Sequence, residues 1–257
     1  MQVLVEQYKH IAFVTLNRPE KLNALSREML ENLREVFERI AQDENLRCVI
    51  LTGAGDKAFC AGTDISELAM LNEEEARQAS ERGQRVCDAI ENCPVPVIAA
   101  INGIAAGGGF ELALACHLRV ASQEAEFFLP ETKLGLIPAY GGTQRSSRII
   151  GEGRVNEIMI ANKKIEANEA LKIGLVNRVV PSSDVLKEST SLANEISKLA
   201  PLAVRACLQA VIKGFDLPLQ EGLKLEAKLF SELFSTEDMR EGTSAFLEKR
   251  QPNFQGK

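Results

Sequence analysis

V-I-A-A-I-N-G-I-A-A-G-G-G-F-E, running from Val97 to Glu111, is the stretch on which the fold turns. Its first half carries no charge and reads as a buried strand. The run breaks at Asn102-Gly103, crosses small residues and ends in Gly107-Gly108-Gly109. A helical pattern, Phe110 to Cys116, follows at once. Glycines at such a junction leave bare backbone N–H groups at a helix N-terminus, where the helix dipole favours negative charge. Glu111 stands in the first turn of that helix. Two readings fit equally: a seat for a ligand oxygen, or glycines that only let a helix lie close to a sheet.

Outward from this junction, strands and helices alternate. Residues 2–8 and 10–16 suggest a hairpin, and Asn17-Arg-Pro19 is turn chemistry. Ser26 is placed to cap a helix whose Leu30, Leu33, Phe37 and Ile40 recur at helical spacing. Arg47–Gly53 reads as a strand buried on both faces. Phe59–Asp64 exposes backbone in a tight loop, with Asp64 as N-cap of the short helix after it. A long helix covers about Glu73–Glu91 and is ended by Pro94-Val-Pro96. Strand-like segments at His117–Ala121 and Glu126–Leu129 precede Pro130-Glu131 and a loop rich in glycine and proline, 134–142. Helices from Thr143 and Arg154, a short helix at 167–173 and a last strand at 175–180 follow. Beyond Ser183 the pattern is helical only. This order predicts an α/β core over residues 1–195 and a helical segment over 196–257.

At 257 residues the chain is long enough for one large core, and its 45% hydrophobic and 26% charged content is that of a globular protein. A net charge of −6 argues against a general nucleic-acid binder. No run approaches the roughly 18 apolar residues of a membrane span, and the first residues lack the basic and apolar regions of an export signal. The six cysteines form no C-x-x-C pair, so core thiols in a reducing cytoplasm are expected. Two histidines, His10 and His117, leave little for a metal centre or a histidine triad, and no metal is expected. A dinucleotide fingerprint fails because Leu112 stands where a third glycine belongs, and a phosphate loop fails because Gly109 stands where lysine belongs. No nucleophile elbow or zinc-protease helix occurs. Two loops of exposed backbone, 59–64 and 107–109, remain, with two carboxylates, Glu111 and Glu131. Converging N–H groups can hold an oxyanion, and paired carboxylates can divide acid and base work when their environments separate them.

Five segments in order resemble the crotonase family of enoyl-CoA hydratases and isomerases. They are Leu16-Asn-Arg-Pro with Leu22-Asn-Ala-Leu25, Ala58–Ile65, Ile101-Asn-Gly with Gly107–Glu111, Pro130–Pro138 with Gly141–Arg145, and Ala245–Pro252. The resemblance implies a spiral of ββα units with C-terminal helices that form homotrimers, paired into homohexamers. It implies Ala61 and Gly108 as N–H donors to a thioester oxygen. Leu22, Ala24, Leu25, Ala61, Gly62, Thr63, Asp64, Ile65, Gly107, Gly108, Pro138, Ala139 and Tyr140 would contact the acyl-CoA. With both acids present, the implied reaction is syn hydration of a trans-2-enoyl-CoA, without a separate cofactor. Glu111 would act as base on the water and Glu131 would give a proton to C2. Double-bond isomerisation, hydration of a branched or cyclic enoyl-CoA, and an RNA-binding role are the alternatives the resemblance leaves. Three residues depart from the family's pattern: Ala139 where glycine is common, bulky Tyr140, and His117 where aspartate is usual.

Overall fold

The run from Val97 to Ala106 is two strands in two different sheets, where the sequence pattern had offered only the first. The computed structural model describes all 257 residues. Strands β1 (Val3–Tyr8) and β2 (Ile11–Leu16) form the expected hairpin, with Lys9 at its positive-φ turn. Helix α1 (Arg27–Ile40) starts where the Ser26 hydroxyl accepts the Met29 N–H, and it buries Leu30, Leu33, Phe37 and Ile40. Next come β3 (Cys48–Gly53), β4 (Ala58–Cys60), α2 (Ile65–Leu68) and α3 (Glu73–Glu91). Asn72 and Glu75 close α3's N-terminus as a reciprocal capping box. The central units are β5 (Val97–Ile101), β6 (Ile104–Ala106) and α4 (Gly108–Ala115), followed by β7 (Leu118–Ser122) and β8 (Glu126–Phe128). A 3-10 turn, Glu131–Leu134, then leads through the loop to α5 (Gly142–Ile150) and α6 (Glu152–Ile160). β9 (Ile165–Glu166), α7 (Ala167–Lys172), β10 (Arg178–Val180) and α8 (Val185–Ile196) complete the core.

From β3 to β8, consecutive strands go to alternate sheets. The first sheet has the order β1-β2-β3-β5-β7-β10 and is parallel from β2 onward. The second has the order β4-β6-β8-β9, with only β9 antiparallel. One strand in each sheet followed by helix, repeated along the chain, is the spiral of ββα units that the resemblance implied. β3 shows why such strands read as unbroken apolar runs: Val49 and Leu51 face the main core, while Cys48 and Ile50 face a smaller cluster covered by Val185 and Ala193 of α8. Asn102-Gly103 breaks β5 from β6 because Asn102 Nδ2 donates to the Gly53 and Gly55 carbonyls, and Gly103 lies against the Lys57 carbonyl with no room for a side chain.

The C-terminal segment is α9 (Pro201–Phe215), α10 (Leu219–Leu233) and α11 (Glu237–Glu248). It buries little of its own: α9 has no fully buried residue, α10 only Leu229, and α11 only Asp238 and Ala245. The last residues are tied back to α11, whose Asp238 carboxylate accepts the Gln255 and Gly256 N–H groups. Of the cysteines, five are buried and Cys207, on α9, is exposed, so that thiol is not a core residue as the pattern suggested. No helix is long and apolar enough to cross a membrane.

Candidate active site

Three loops meet at the start of α4, and polar side chains far apart in sequence lock them together. Leu22 and Asn23 both take positive φ, which lets the chain double back after Pro19. The buried Asn23 amide donates to the Ala54 and Ala58 carbonyls and accepts the Arg18 N–H, so it joins loop 18–25 to the β3–β4 connection. Arg18 donates to the Ala24 carbonyl and pairs with Asp64 at 3.0 Å. Asp64 also caps α2 by accepting from the Ser66 hydroxyl and N–H, and the Ser66 hydroxyl first, with Arg18, holds its carboxyl below the usual range. Asp64 thereby fastens loop 18–25 to the start of α2. Neither Arg18 nor Asn23 was singled out from the sequence, although both stand in the N-R-P…L-N-A-L segments.

A parallel bridge seals the two loops: Leu25 N–H donates to the Gly62 carbonyl at 2.7 Å, and Asp64 N–H donates to the Leu25 carbonyl at 2.9 Å. In a parallel bridge the residue between those two contacts points its own N–H and carbonyl the other way. That residue is Thr63, and its N–H has no protein acceptor. Ala61, expected as an oxyanion donor, is already engaged, because its N–H donates to the Leu22 carbonyl at 3.0 Å. The free amide thus lies two residues further along than the resemblance had placed it. Gly108 opens α4, and its N–H is among the first-turn donors that a helix leaves unpaired. Gly62 brings the two loops together: a Cβ there would stand 3.0 Å from the Ala106 carbonyl oxygen and 3.6 Å from Gly108 N.

The glycine triplet serves packing and access together. Gly109 lies on the Cys60 backbone, where any Cβ would overlap Cys60. Gly107, at φ +49°, caps α4 and lies beside the Glu131 carboxylate, 2.9 Å from where a Cβ would stand. Glu131 itself is in the first turn of the 3-10 segment, not at a strand end, and its Oε2 is buried with no hydrogen-bond partner. Burial raises its carboxyl above the ordinary range.

Glu111 is only 2% exposed on a helix whose every residue is buried. Its Oε1 accepts two N–H bonds of 2.7 Å, from Tyr140 and from Gly142, the first residue of α5. The same carboxylate oxygen thereby occupies the anion seat at the start of α5. Oε2 takes no bond from the protein. Burial pushes the Glu111 carboxyl up to about 7; the Gly142 N–H opposes this, and the nearby Glu131 charge adds to the rise. The amides of the loop after Ala139 place the acid, with the Tyr140 and Gly142 N–H groups held at that carboxylate.

Arg145, quoted with the G-G-T-Q-R segment but given no part, fixes this loop. Its guanidinium donates to the Tyr140 carbonyl at 3.1 Å and pairs with Asp88 and Glu91 of α3, each at 2.7 Å. Ser80 and Gln84, also on α3, donate to the Ala139 carbonyl. His117 lies outside the site. Val97 N–H can only donate, so His117 Nδ1 accepts it, and Nε2 carries the proton toward the Glu91 carbonyl. Burial lowers its pKa. Leu22, Ala24 and Ile65 stand at the loop edges, and Pro138, within the 134–142 loop, is buried.

A cavity of about 440 Å³ opens beside Thr63 and Tyr140, lined also by Leu25, Leu30, Leu68, Met70, Leu71, Ala79 and Arg82; neither acid lines it. The Tyr140 ring forms one wall, pressed against Gly83 of α3, where a Cβ would fall within the ring, and against Gly108. The Thr63 hydroxyl donates to the Tyr140 phenol oxygen at 3.1 Å. A separate cleft of about 550 Å³ between α5 and α9 touches Gly141 and Arg145 but reaches neither acid. Both sequence-predicted carboxylates and Gly108 are thus gathered at one place, with Thr63 standing where Ala61 was expected.

The sequence profile described as Enoyl-CoA hydratase/isomerase matches residues 6–257. A short-chain-enoyl-CoA hydratase of Clostridium acetobutylicum is 43% identical over 248 residues, which are 96% of this chain and 95% of that one. A crotonyl-CoA hydratase of Syntrophomonas wolfei is 39% identical over 252 residues, 98% of this chain and 97% of that one. The crystal structure of an enoyl-CoA hydratase from Bacillus anthracis superposes with a TM-score of 0.97 at 42% identity, over 100% of both chains.

Proposed function

The chain belongs to the enoyl-CoA hydratase/isomerase family, and from that membership we propose how its site works as an enoyl-CoA hydratase. The reaction adds water syn across a trans-2-enoyl-CoA to give a 3-hydroxyacyl-CoA. The observation that carries the reading is the pair of acids, each displaced upward and electrostatically linked, beside two amides with no protein acceptor.

The thioester oxygen accepts from the Thr63 and Gly108 N–H groups. Attack of water at C3 moves an electron pair onto that oxygen, where each preorganised donor is worth about 2.7–4 kcal/mol. Glu111, steadied through Oε1, takes the water's proton on Oε2. Glu131 delivers its proton to C2 as the enolate collapses. Burial raises both carboxyls and the Glu131 charge raises Glu111 further, so the two share a proton as a pair, one accepting from water while the other supplies C2. Because the two charges interact, they titrate as a pair. The net change is one water added, with no electrons exchanged, so the chemistry requires no redox cofactor.

Apolar side chains exposed along the C-terminal helices, such as Val211, Phe215, Phe230, Phe234 and Phe246, support assembly of copies into a trimer, or a hexamer of two trimers. Five buried free thiols support a reducing compartment such as the cytoplasm.

The test is addition of crotonyl-CoA with measurement of the loss of conjugated thioester absorbance. Turnover giving the 3-hydroxy product is expected. Inertness toward crotonyl-CoA and toward longer and branched trans-2-enoyl-CoA thioesters would sink the assignment.

A further inference from the structure

Arg82 of α3 is the one charged side chain at the acyl cavity that has neither an ion pair nor a hydrogen bond. Its Nε is shielded from solvent and unpartnered. The acids around it are committed elsewhere: Glu81 pairs with Arg77 and Arg85, and Glu67 Oε2 accepts the Arg27 N–H. Arg27, also at the cavity, pairs with Glu31 at 2.9 Å. A buried guanidinium N–H without an acceptor is unfavourable, and a wholly apolar acyl chain would leave it so. Across the cavity stands Tyr140. Because the Thr63 hydroxyl donates to its oxygen, the phenol's own O–H is free to donate. Tyr140 also closes the cavity against Gly83 and Gly108, which shortens the space beyond the thioester.

We propose that this pocket selects a short enoyl chain ending in a carboxylate, with Arg82 and the Tyr140 hydroxyl as the receptor for that second acid group. The substrate class is therefore the monothioesters of short unsaturated dicarboxylic acids. The proposal rests on the hydratase reading above and deepens it. Arginine suits the task because its planar fork meets a carboxylate with paired, charge-assisted bonds. Hydration proceeds as before, with hydroxyl to C3 and proton to C2, and the distal carboxylate takes no part in bond making.

The test compares kcat/KM for glutaconyl-CoA with that for its uncharged isostere, in which an isopropyl group replaces the carboxylate. The wild-type protein is expected to prefer glutaconyl-CoA by about tenfold or more, the size of one charge-assisted contact. Arg82→Gln should reduce that preference to about unity, and Arg82→Lys should retain part of it. The ratio is internal, so a general loss of folded enzyme leaves it unmoved. Calorimetric binding of glutaryl-CoA, saturated and inert to hydration, to the wild-type protein and Arg82→Gln gives a second readout independent of turnover. A wild-type preference for the isostere, or the same ratio in Arg82→Gln, overturns the proposal while crotonyl-CoA turnover leaves the hydratase reading standing. If every enoyl-CoA is inert but glutaryl-CoA binds in an Arg82-dependent way, the hydratase reading fails and the pocket assignment survives.

Discussion

Replacing Glu111 by Gln should make the protein more stable at alkaline pH while removing its activity. In the folded protein, burial holds the carboxyl at about 7 instead of 4.5. A group whose folded pKa is raised favours the folded state while protonated. That advantage is full below about 4.5 and is lost as the pH rises through 7, because the folded state there must give up a proton it holds tightly. The difference of 2.5 units between the two values corresponds to about 3 kcal/mol at about 1.4 kcal/mol per unit. That net figure already contains the opposing N–H bonds from Tyr140 and Gly142, and part of it belongs to the Glu131 charge, which a neutral Gln would feel less.

Gln keeps an oxygen for those two N–H groups and presents its amide to the cavity, so the net gain at pH 8 should be about 1–2 kcal/mol. For a chain of this size that is a rise in Tm of about 2–8 °C. At pH 5 wild-type Glu111 is largely protonated, and the two proteins should melt nearly together. The assay is thermal unfolding of both at pH 5 and pH 8, with crotonyl-CoA hydration on the same samples, where loss of the base should lower the rate about 10²–10⁴-fold. Equal Tm differences at the two pH values would refute the argument. So would a variant less stable at pH 8 than at pH 5 relative to wild type.

Glu131→Gln should slow hydration by a similar factor of about 10²–10⁴. It should also move the acid limb of the residual pH–rate profile downward, because the Glu131 charge helps raise Glu111; an unmoved limb would separate the two acids. An amide-to-ester replacement at Thr63 deletes a single N–H that no protein atom accepts. It should cost about 10²–10³ in kcat with little change in Tm. The same replacement at Ala61 deletes the N–H bonded to the Leu22 carbonyl. It should lower stability by about 0.5–1.5 kcal/mol and spare most of kcat; the reverse pattern would restore Ala61 as the donor.

The contrast between Ala61 and Thr63 marks how far local pattern carries. Helices α1 and α3 were legible because periodicity and caps lie within one stretch: Ser26 caps α1 and Asn72 with Glu75 caps α3. The doubly buried strands were legible for the same reason. β6 was not, since Ile104-Ala105-Ala106 runs straight into glycines and offers a single β-branched residue and no aromatic one. β9, two residues long, has no period at all. Which amide in loop 61–65 stays free depends on the register of the Leu25–Thr63 bridge, and that bridge joins loops 38 residues apart. Motif spacing names the loop but not the atom.

The acid depends on distant partners even more than the free amide does. Glu111 is legible as a carboxylate on an apolar helix, yet what makes it useful lies on α5. Its Oε1 is set by the Tyr140 and Gly142 amides, and the Tyr140 carbonyl is held by Arg145, three residues into α5 from Gly142. Arg145 is in turn anchored to Asp88 and Glu91 on α3, the helix that also carries Gly83 and Arg82 against the acyl cavity. One helix therefore sets both the position of the proposed base and the wall that meets the acyl chain. A substitution that shifts α3 should alter selectivity and kcat together, because the two depend on the same hydrogen-bonded chain through Arg145 and Tyr140.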